Sequence, residues 1–299
     1  MPAFRGSTLL AALDRCRAAV DRRLGELVPP VDAGDSLQAA MHAAVNSPGK
    51  RLRPALVLLI GEAFSQPGKA LVDLACVVEL VHAASLVLDD LPCMDDSPTR
   101  RGEPSVHRRF GEATAILGAF ALLTRAQAML PQALAATGVP PAHRRELEPR
   151  FALAVEALCR GQELDLKLPT LGADLARLES IHADKTGALF ELAAELGGAA
   201  AGLRGARLAA LLAYARNLGL AFQVSDDLLD VVGESARLGK PTGQDAARAR
   251  VTFVSVFGVA GARAICDDLA GAARQALAPF AREAELLRDL AEHVRTRAS

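Results

Sequence analysis

The chain has 299 residues, 51% hydrophobic and 23% charged, which is enough for a sizeable core and too apolar for a disordered polymer. Lys and Arg number 34 against 35 Asp and Glu, a net charge of −1, which excludes a generally basic nucleic-acid-coating protein. With no Trp and a single Tyr, the chain is not equipped to stack on single-stranded bases.

The cysteines are Cys16, Cys76, Cys93, Cys159 and Cys266, an odd set without a C-x-x-C spacing. That argues against a disulfide scaffold and for a reducing compartment. The segment MPAFRGSTLLAALDRCR has no uninterrupted apolar core of signal-peptide type. No apolar run reaches the ~18 residues needed to span a bilayer, since VVELVHAASLVL contains Glu79 and His82. A cytoplasmic protein without a membrane span is expected.

Strand-type alternation is nearly absent, and the pattern reads as helix over about 7–28, 33–46, 54–64, 69–91, 111–134, 141–166, 173–196, 205–232, 246–256, 260–277 and 281–297. Pro29-Pro30, Pro48-Gly49, Pro67-Gly68, Pro140-Pro141, Gly197-Gly198, Gly233 and Gly239 punctuate the series. No linker, composition shift or fixed-period repeat divides it. One all-α domain over residues 1–299, a large helical bundle, is the economical reading.

In chain order, the first chemical signal is Gly49-Lys50-Arg51-Leu52-Arg53-Pro54, a basic knot before a helix. The stretch 69–91 follows, apolar almost all round and therefore expected in the core. It ends in Asp89-Asp90-Leu91-Pro92, then Asp95-Asp96, and Arg100-Arg101-Gly102 comes soon after. Lys185-Thr186-Gly187 interrupts a later helix. The stretch 205–232, equally apolar, ends in Asp226-Asp227 and Asp230, and Gly239-Lys240-Pro241 lies beyond it.

A helix C-terminus carries partial negative charge, so carboxylates there cost stability unless a cation compensates them. Asp as the donor points to a hard divalent ion, Mg²⁺ or Mn²⁺. Asp226 and Asp230 share a helix face at i, i+4. Pro92 disfavours a helical conformation at Leu91, so the helix is expected to end and let Asp95 fold back toward Asp89. Arginines and lysines beside such an ion describe a diphosphate site. Small side chains at Val81, Ala84 and Ser85, with Phe120 and Leu123 on the next helix, suggest an apolar shaft below it. No G-x-x-x-x-G-K-[ST] motif marks a P-loop nucleotide site.

From about residue 48 to 258 these motifs, in this order, resemble the trans-isoprenyl diphosphate synthase family. ASLVLDDLPCMDD followed by TRRGEPSVH is most similar to bacterial geranylgeranyl diphosphate synthases. The resemblance implies the isoprenoid-synthase helical fold with a central apolar cavity, a homodimer, and isopentenyl and allylic diphosphates as substrates. It implies three Mg²⁺ ions (Mn²⁺ as substitute) on Asp89, Asp95 and Asp226, supported by Asp90, Asp227 and Asp230. It places Arg100, Lys185 and Lys240 on the allylic diphosphate, with Thr186 and Gln223 beside the reacting carbon. Lys50, Arg53, His82 and Arg101 would hold the diphosphate of isopentenyl diphosphate. Relatives making the C15 product carry an aromatic where Ala84 stands, so a C20 product is expected, with Val81, Ser85 and Phe120 as further pocket residues.

Arg250 stands where relatives have Lys, and is left outside the expected site. A C15 synthase remains the nearest alternative, and a non-catalytic partner subunit the alternative of another class. A metal phosphohydrolase would need more His near the acids, and a terpene cyclase has no use for the second basic site.

Overall fold

The computed structural model describes residues 3–31, 34–64, 68–232 and 250–297. Its helices are α1 (Ala3–Leu27), α2 (Ser36–Asn46), α3 (Leu52–Ala63), α4 (Lys69–Asp89), α5 (Val106–Phe110), α6 (Glu112–Ala136), α7 (Pro141–Leu171), α8 (Leu175–His182), α9 (Ala188–Ala200), α10 (Gly205–Val232), α11 (Phe253–Ala276) and α12 (Glu285–Thr296). A two-residue hairpin, β1 (Thr99–Arg100) against β2 (Glu103–Pro104), is the one sheet among the described residues. The all-α expectation holds. Asp35 starts α2 by accepting from the Gln38 amide at 2.9 Å, and Thr252 and Ser255 cap α11 reciprocally.

The two apolar helices are central. Leu74, Cys76, Val77, Val78, Leu80 and Val81 of α4 are fully buried, as are Leu211, Leu218 and Val224 of α10. Around them α3, α6, α9 and α11 pack into one continuous core. By length and composition alone α4 and α6 are each apolar enough to cross a bilayer, a test that a buried core helix also passes. Most of α4's apolar stretch is used up inside the fold.

Some boundaries move for local reasons. The break expected between 256 and 260 falls at Gly258, whose left-handed φ of 69° kinks α11. The interruption at Lys185 is a π-helical turn over Ala183–Gly187. The hairpin and α5 were not foreseen: the strands have two residues each, too short for an alternation signal. Residues 246–249 of one expected helix, and Gly233 and Gly239, lie outside the described residues.

A buried ionic network fixes α3 against α4. Arg51, at the start of α3, donates to Glu79 at 2.5 Å, to Asp21 at 2.8 Å, and to the carbonyls of Val45 and Ser47 at 2.7 and 3.0 Å. Arg51 is 5% exposed and Glu79 1%. Charges this deep persist only when paired and hydrogen-bonded. The middle arginine of the basic knot is therefore structural, and it sets the direction of its neighbours Lys50 and Arg53.

Candidate active site

Helix α4 stops at Asp89, and the chain folds back as the Pro92 argument requires. The Asp95 amide donates to the Asp89 carbonyl at 2.9 Å, and the Ser97 amide to the Asp90 carbonyl at 3.1 Å. The loop thus satisfies carbonyls that the helix end leaves open and brings Asp95 beside Asp89. Asp89 is half-buried and has no hydrogen-bonded cation among the described residues. Burial, opposed by Lys185 and reinforced by Asp95, pushes its carboxyl up to about 6. Asp90 is buried and held by Arg100, whose Nε lies 3.1 Å from both carboxylate oxygens.

The hairpin turn separates the arginine doublet. Arg101 and Gly102 both have positive φ, 56° and 85°, the pattern of a tight two-residue turn. Arg100 points back to Asp90, while Arg101 reaches the Ser47 carbonyl at 3.2 Å. Gly49 makes room for it, because a Cβ there would lie 2.6 Å from the Arg101 guanidinium. Burial, together with Arg51, Arg100 and Arg53, lowers the Arg101 pKa to about 10. A cleft of about 470 Å³ between α2, α4 and the hairpin backs onto Asp90, Arg100 and Arg101.

Arg53, the second residue of α3, donates to Nε2 of His82 at 3.3 Å and lies over the Phe190 ring at 5.0 Å. Burial, then Arg53 and the other arginines, holds His82 well below the ordinary histidine range, so it is a neutral acceptor. Arg53 is within electrostatic reach of both Asp89, at the end of α4, and Asp226, near the end of α10. Lys50 is exposed, within electrostatic reach of His293 on α12.

Lys185 sits on the π-helical turn and binds Asp165 of α7 at 2.5 Å. Gly161 permits this approach, since a Cβ there would meet the Lys185 backbone nitrogen at 2.3 Å. Thr186 donates to Gln223 Oε1 at 2.8 Å, and Gln223 donates to Asp227 at 2.8 Å. The Phe253 amide completes the chain by donating to Asp227 at 3.0 Å. Asp227 is therefore buried against the N-terminus of α11, where the helix dipole favours an anion. Asp230 is also buried, one turn on from Asp226.

Two arginines that the sequence reading left out join the carboxylates. Arg250 pairs with Asp95. Arg297, the C-cap residue of α12, pairs with Asp226 at 2.9 Å. The compensating charge that both acidic ends require thus comes, in this state, from the chain itself. Among the described residues no three His, Cys, Asp or Glu form a ready-made metal cluster. The position of Arg250 in a family-like segment was the available signal; for Arg297, at the chain's far end, there was none.

The shaft residues need one correction. Val81 and Ala84 are fully buried and Ser85 is half-buried, its hydroxyl on the His82 carbonyl at 2.9 Å. Phe120, expected to close the shaft, is 70% exposed. Helix α6 turns Ala115, Ala119, Leu122 and Ala126 inward, which carries Phe120 to the outer face with Ile116 and Leu117. Lys240 lies outside the described residues.

A family model, Polyprenyl synthetase, matches residues 35–279. The chain belongs to the polyprenyl synthetase family. It is 39% identical over 279 residues to farnesyl diphosphate synthase of Escherichia coli, covering 91% of this chain and 92% of the relative. It is 38% identical over 252 residues to geranylgeranyl diphosphate synthase of Pseudescherichia vulneris, covering 83% and 79%. The crystal structure of an FPP/GFPP synthase from Zymomonas mobilis superposes with a TM-score of 0.84 at 33% identity, over 97% of this chain and all of the other. The protein is thus a prenyltransferase, a trans-prenyl diphosphate synthase of the farnesyl or geranylgeranyl type.

Asp89 and Asp226 are predicted to differ in their effect on stability in EDTA. Asp89 is ionised in both folded and unfolded states at pH 7.5, so the folded state carries the burial cost, which is relieved as pH falls from 6 to 4. In EDTA, Asp89→Asn should raise unfolding stability at pH 7.5 by about 2 kcal/mol, with the gap closing toward pH 4. Asp226→Asn should lower it by about 1–3 kcal/mol, because it leaves Arg297 without its carboxylate. Urea unfolding at both pH values checks the opposite signs; equal effects would contradict this electrostatic assignment.

Proposed function

We propose that this single all-α domain, residues 1–299, condenses isopentenyl diphosphate with allylic diphosphates to geranylgeranyl diphosphate, C20. What carries the reading is that two carboxylate clusters, at the ends of α4 and α10, are each paired with a guanidinium and both lie within electrostatic reach of Arg53. Asp89 supports a metal at this site: a half-buried carboxylate with no hydrogen-bonded cation among the described residues, beside other carboxylates, suits a hard ion. Asp89, Asp95 and Asp226 would hold Mg²⁺, three ions by family resemblance, with Asp90, Asp227 and Asp230 keeping the helix ends in place. When bound, Mg²⁺ supplies charge neutralisation for the leaving diphosphate.

The chain's own residues do the rest. Arg100 and Lys185 orient the allylic diphosphate, and Lys240 is assigned there from sequence alone. As the allylic C–O bond breaks, its electron pair leaves with the diphosphate and these cations stabilise the charge. Thr186 donates its hydroxyl hydrogen bond to Gln223, so its oxygen lone pairs remain to face the allylic cation. Arg53, Arg101, Lys50 and neutral His82 hold isopentenyl diphosphate so that its double bond attacks. The proton then lost passes to the released diphosphate, and no protein base is required.

The small Ala84 and Ser85 above Val81 favour a C20 chain over C15. Extracted product from the wild type is predicted to be C20, and Ala84→Tyr should shift it to C15 with turnover retained. A C15 wild-type product, in line with the Escherichia coli relative, would refute the length assignment and leave the reaction class standing.

The reading includes a cytoplasmic homodimer. Five free cysteines support the compartment. The outer face of α6 supports the dimer, with Ile116, Leu117 and Phe120 at 46%, 59% and 70% exposure. Phe120→Asp is predicted to convert the dimer to a monomer in analytical ultracentrifugation. An unchanged sedimentation coefficient would place the interface elsewhere.

A further inference from the structure

Two of the cations paired with the aspartate motifs, Arg250 and Arg297, come from segments that follow both motifs in the chain. Arg297 makes four interactions around the end of α10: Nη2 to Asp226 at 2.9 Å, Nη2 to the Phe222 carbonyl at 2.7 Å, Nε to Ser225 Oγ at 2.8 Å, and a stack over the Phe222 ring at 4.0 Å. Its side chain is 9% exposed, and its Nη1 is buried with no hydrogen-bond partner among the described residues. A guanidinium with an unmet donor is held less completely than a structural one such as Arg51. Asp226 itself is 36% exposed, within reach of an ion from solvent. Arg250 stands on Asp95 in the same way, on the facing motif.

Like charges at two helix ends need neutralisation whether or not metal is bound. A carboxylate oxygen engaged by a guanidinium is not free to ligate an ion, so arginine and metal compete for it. We infer that Arg250 and Arg297 are exchangeable counter-ions, one for each aspartate motif, displaced when divalent metal loads. The inference rests on the metal placement given under Proposed function. Displacing Arg297 would release only the last turn of α12, because Tyr214 of α10 still holds α12 through the Leu287 carbonyl at 2.7 Å. Metal loading would thereby loosen the C-terminal end beside Arg53, the residue that Arg297 faces across Phe222.

The test is Mn²⁺ binding to the EDTA-stripped full chain, followed by electron paramagnetic resonance, with no substrate present. Arg297→Gln and Arg250→Gln should each bind Mn²⁺ about tenfold more tightly than wild type, since the ion no longer has to displace a charge-assisted hydrogen bond. Arg297→Gln should have a lower Tm than wild type in EDTA, and saturating Mn²⁺ should close that gap. In the wild type, Mn²⁺ should speed hydrogen exchange at residues 294–297, a readout that needs no variant. Unchanged or weaker Mn²⁺ binding by both glutamine variants, or a Tm gap that persists with metal, would overturn the proposal and leave these arginines as structural clamps. Asp226→Asn separates the two levels. If it binds Mn²⁺ as well as wild type, the metal placement itself fails and the proposal with it. If it binds weakly while the arginine variants are unchanged, only the exchange is wrong.

Discussion

Repulsion among carboxylates at the C-terminal ends of two buried helices is the interaction around which this molecule is arranged. Helix α4, and α10 over residues 218–230, bury nearly their whole circumference, so their acidic ends cannot turn away into solvent. The helix dipole adds to the repulsion. Each carboxylate has a separate solution: Asp90 is tied to Arg100, Asp95 to Arg250 and Asp226 to Arg297, while Asp227 sits on the N-terminus of α11. Burial raises the carboxyl pKa of both Asp89 and Asp90, and Asp89 bears that cost with no hydrogen-bonded cation among the described residues. A site that stores unfavourable charge in this way is prepared for a ligand that relieves it.

The cations are positioned by backbone features that are themselves costly. Among the described residues the non-glycine positions with left-handed φ are Arg51, Asp96 and Arg101, and all three lie in or beside the charged motifs. Such conformations persist where the surroundings over-determine them, and they concentrate at functional sites. Arg51 shows how the over-determination works: four hydrogen bonds lock it between Lys50 and Arg53. The π-helical turn at Lys185 plays a similar part, made possible by the missing side chain at Gly161.

Much of this was legible in the sequence, because the strongest signals are local. Helix periodicity, the all-apolar stretches 69–91 and 205–232, and the end of α4 before Pro92 follow from near neighbours along the chain. The acidic clusters, GKRLRP and the arginine doublet also lie within single segments. What stayed hidden depends on contacts distant in sequence. Lys185 meets Asp165, Asp226 meets Arg297, and Arg51 meets Glu79, pairings that no local pattern encodes. Phe120 shows the complementary limit. It belongs to an apolar helix next to α4, but which face of α6 turns inward is decided by the packing of Ala115, Ala119 and Leu122.

The central claim, that the two carboxylate clusters work on one diphosphate, is tested most directly by a rate. Diphosphate release from isopentenyl and allylic diphosphates with Mg²⁺ should fall about a thousandfold in both Asp89→Ala and Asp226→Ala, a loss of ~4 kcal/mol from the transition state, with far-UV circular dichroism unchanged. Near-normal turnover in either folded variant would contradict the account.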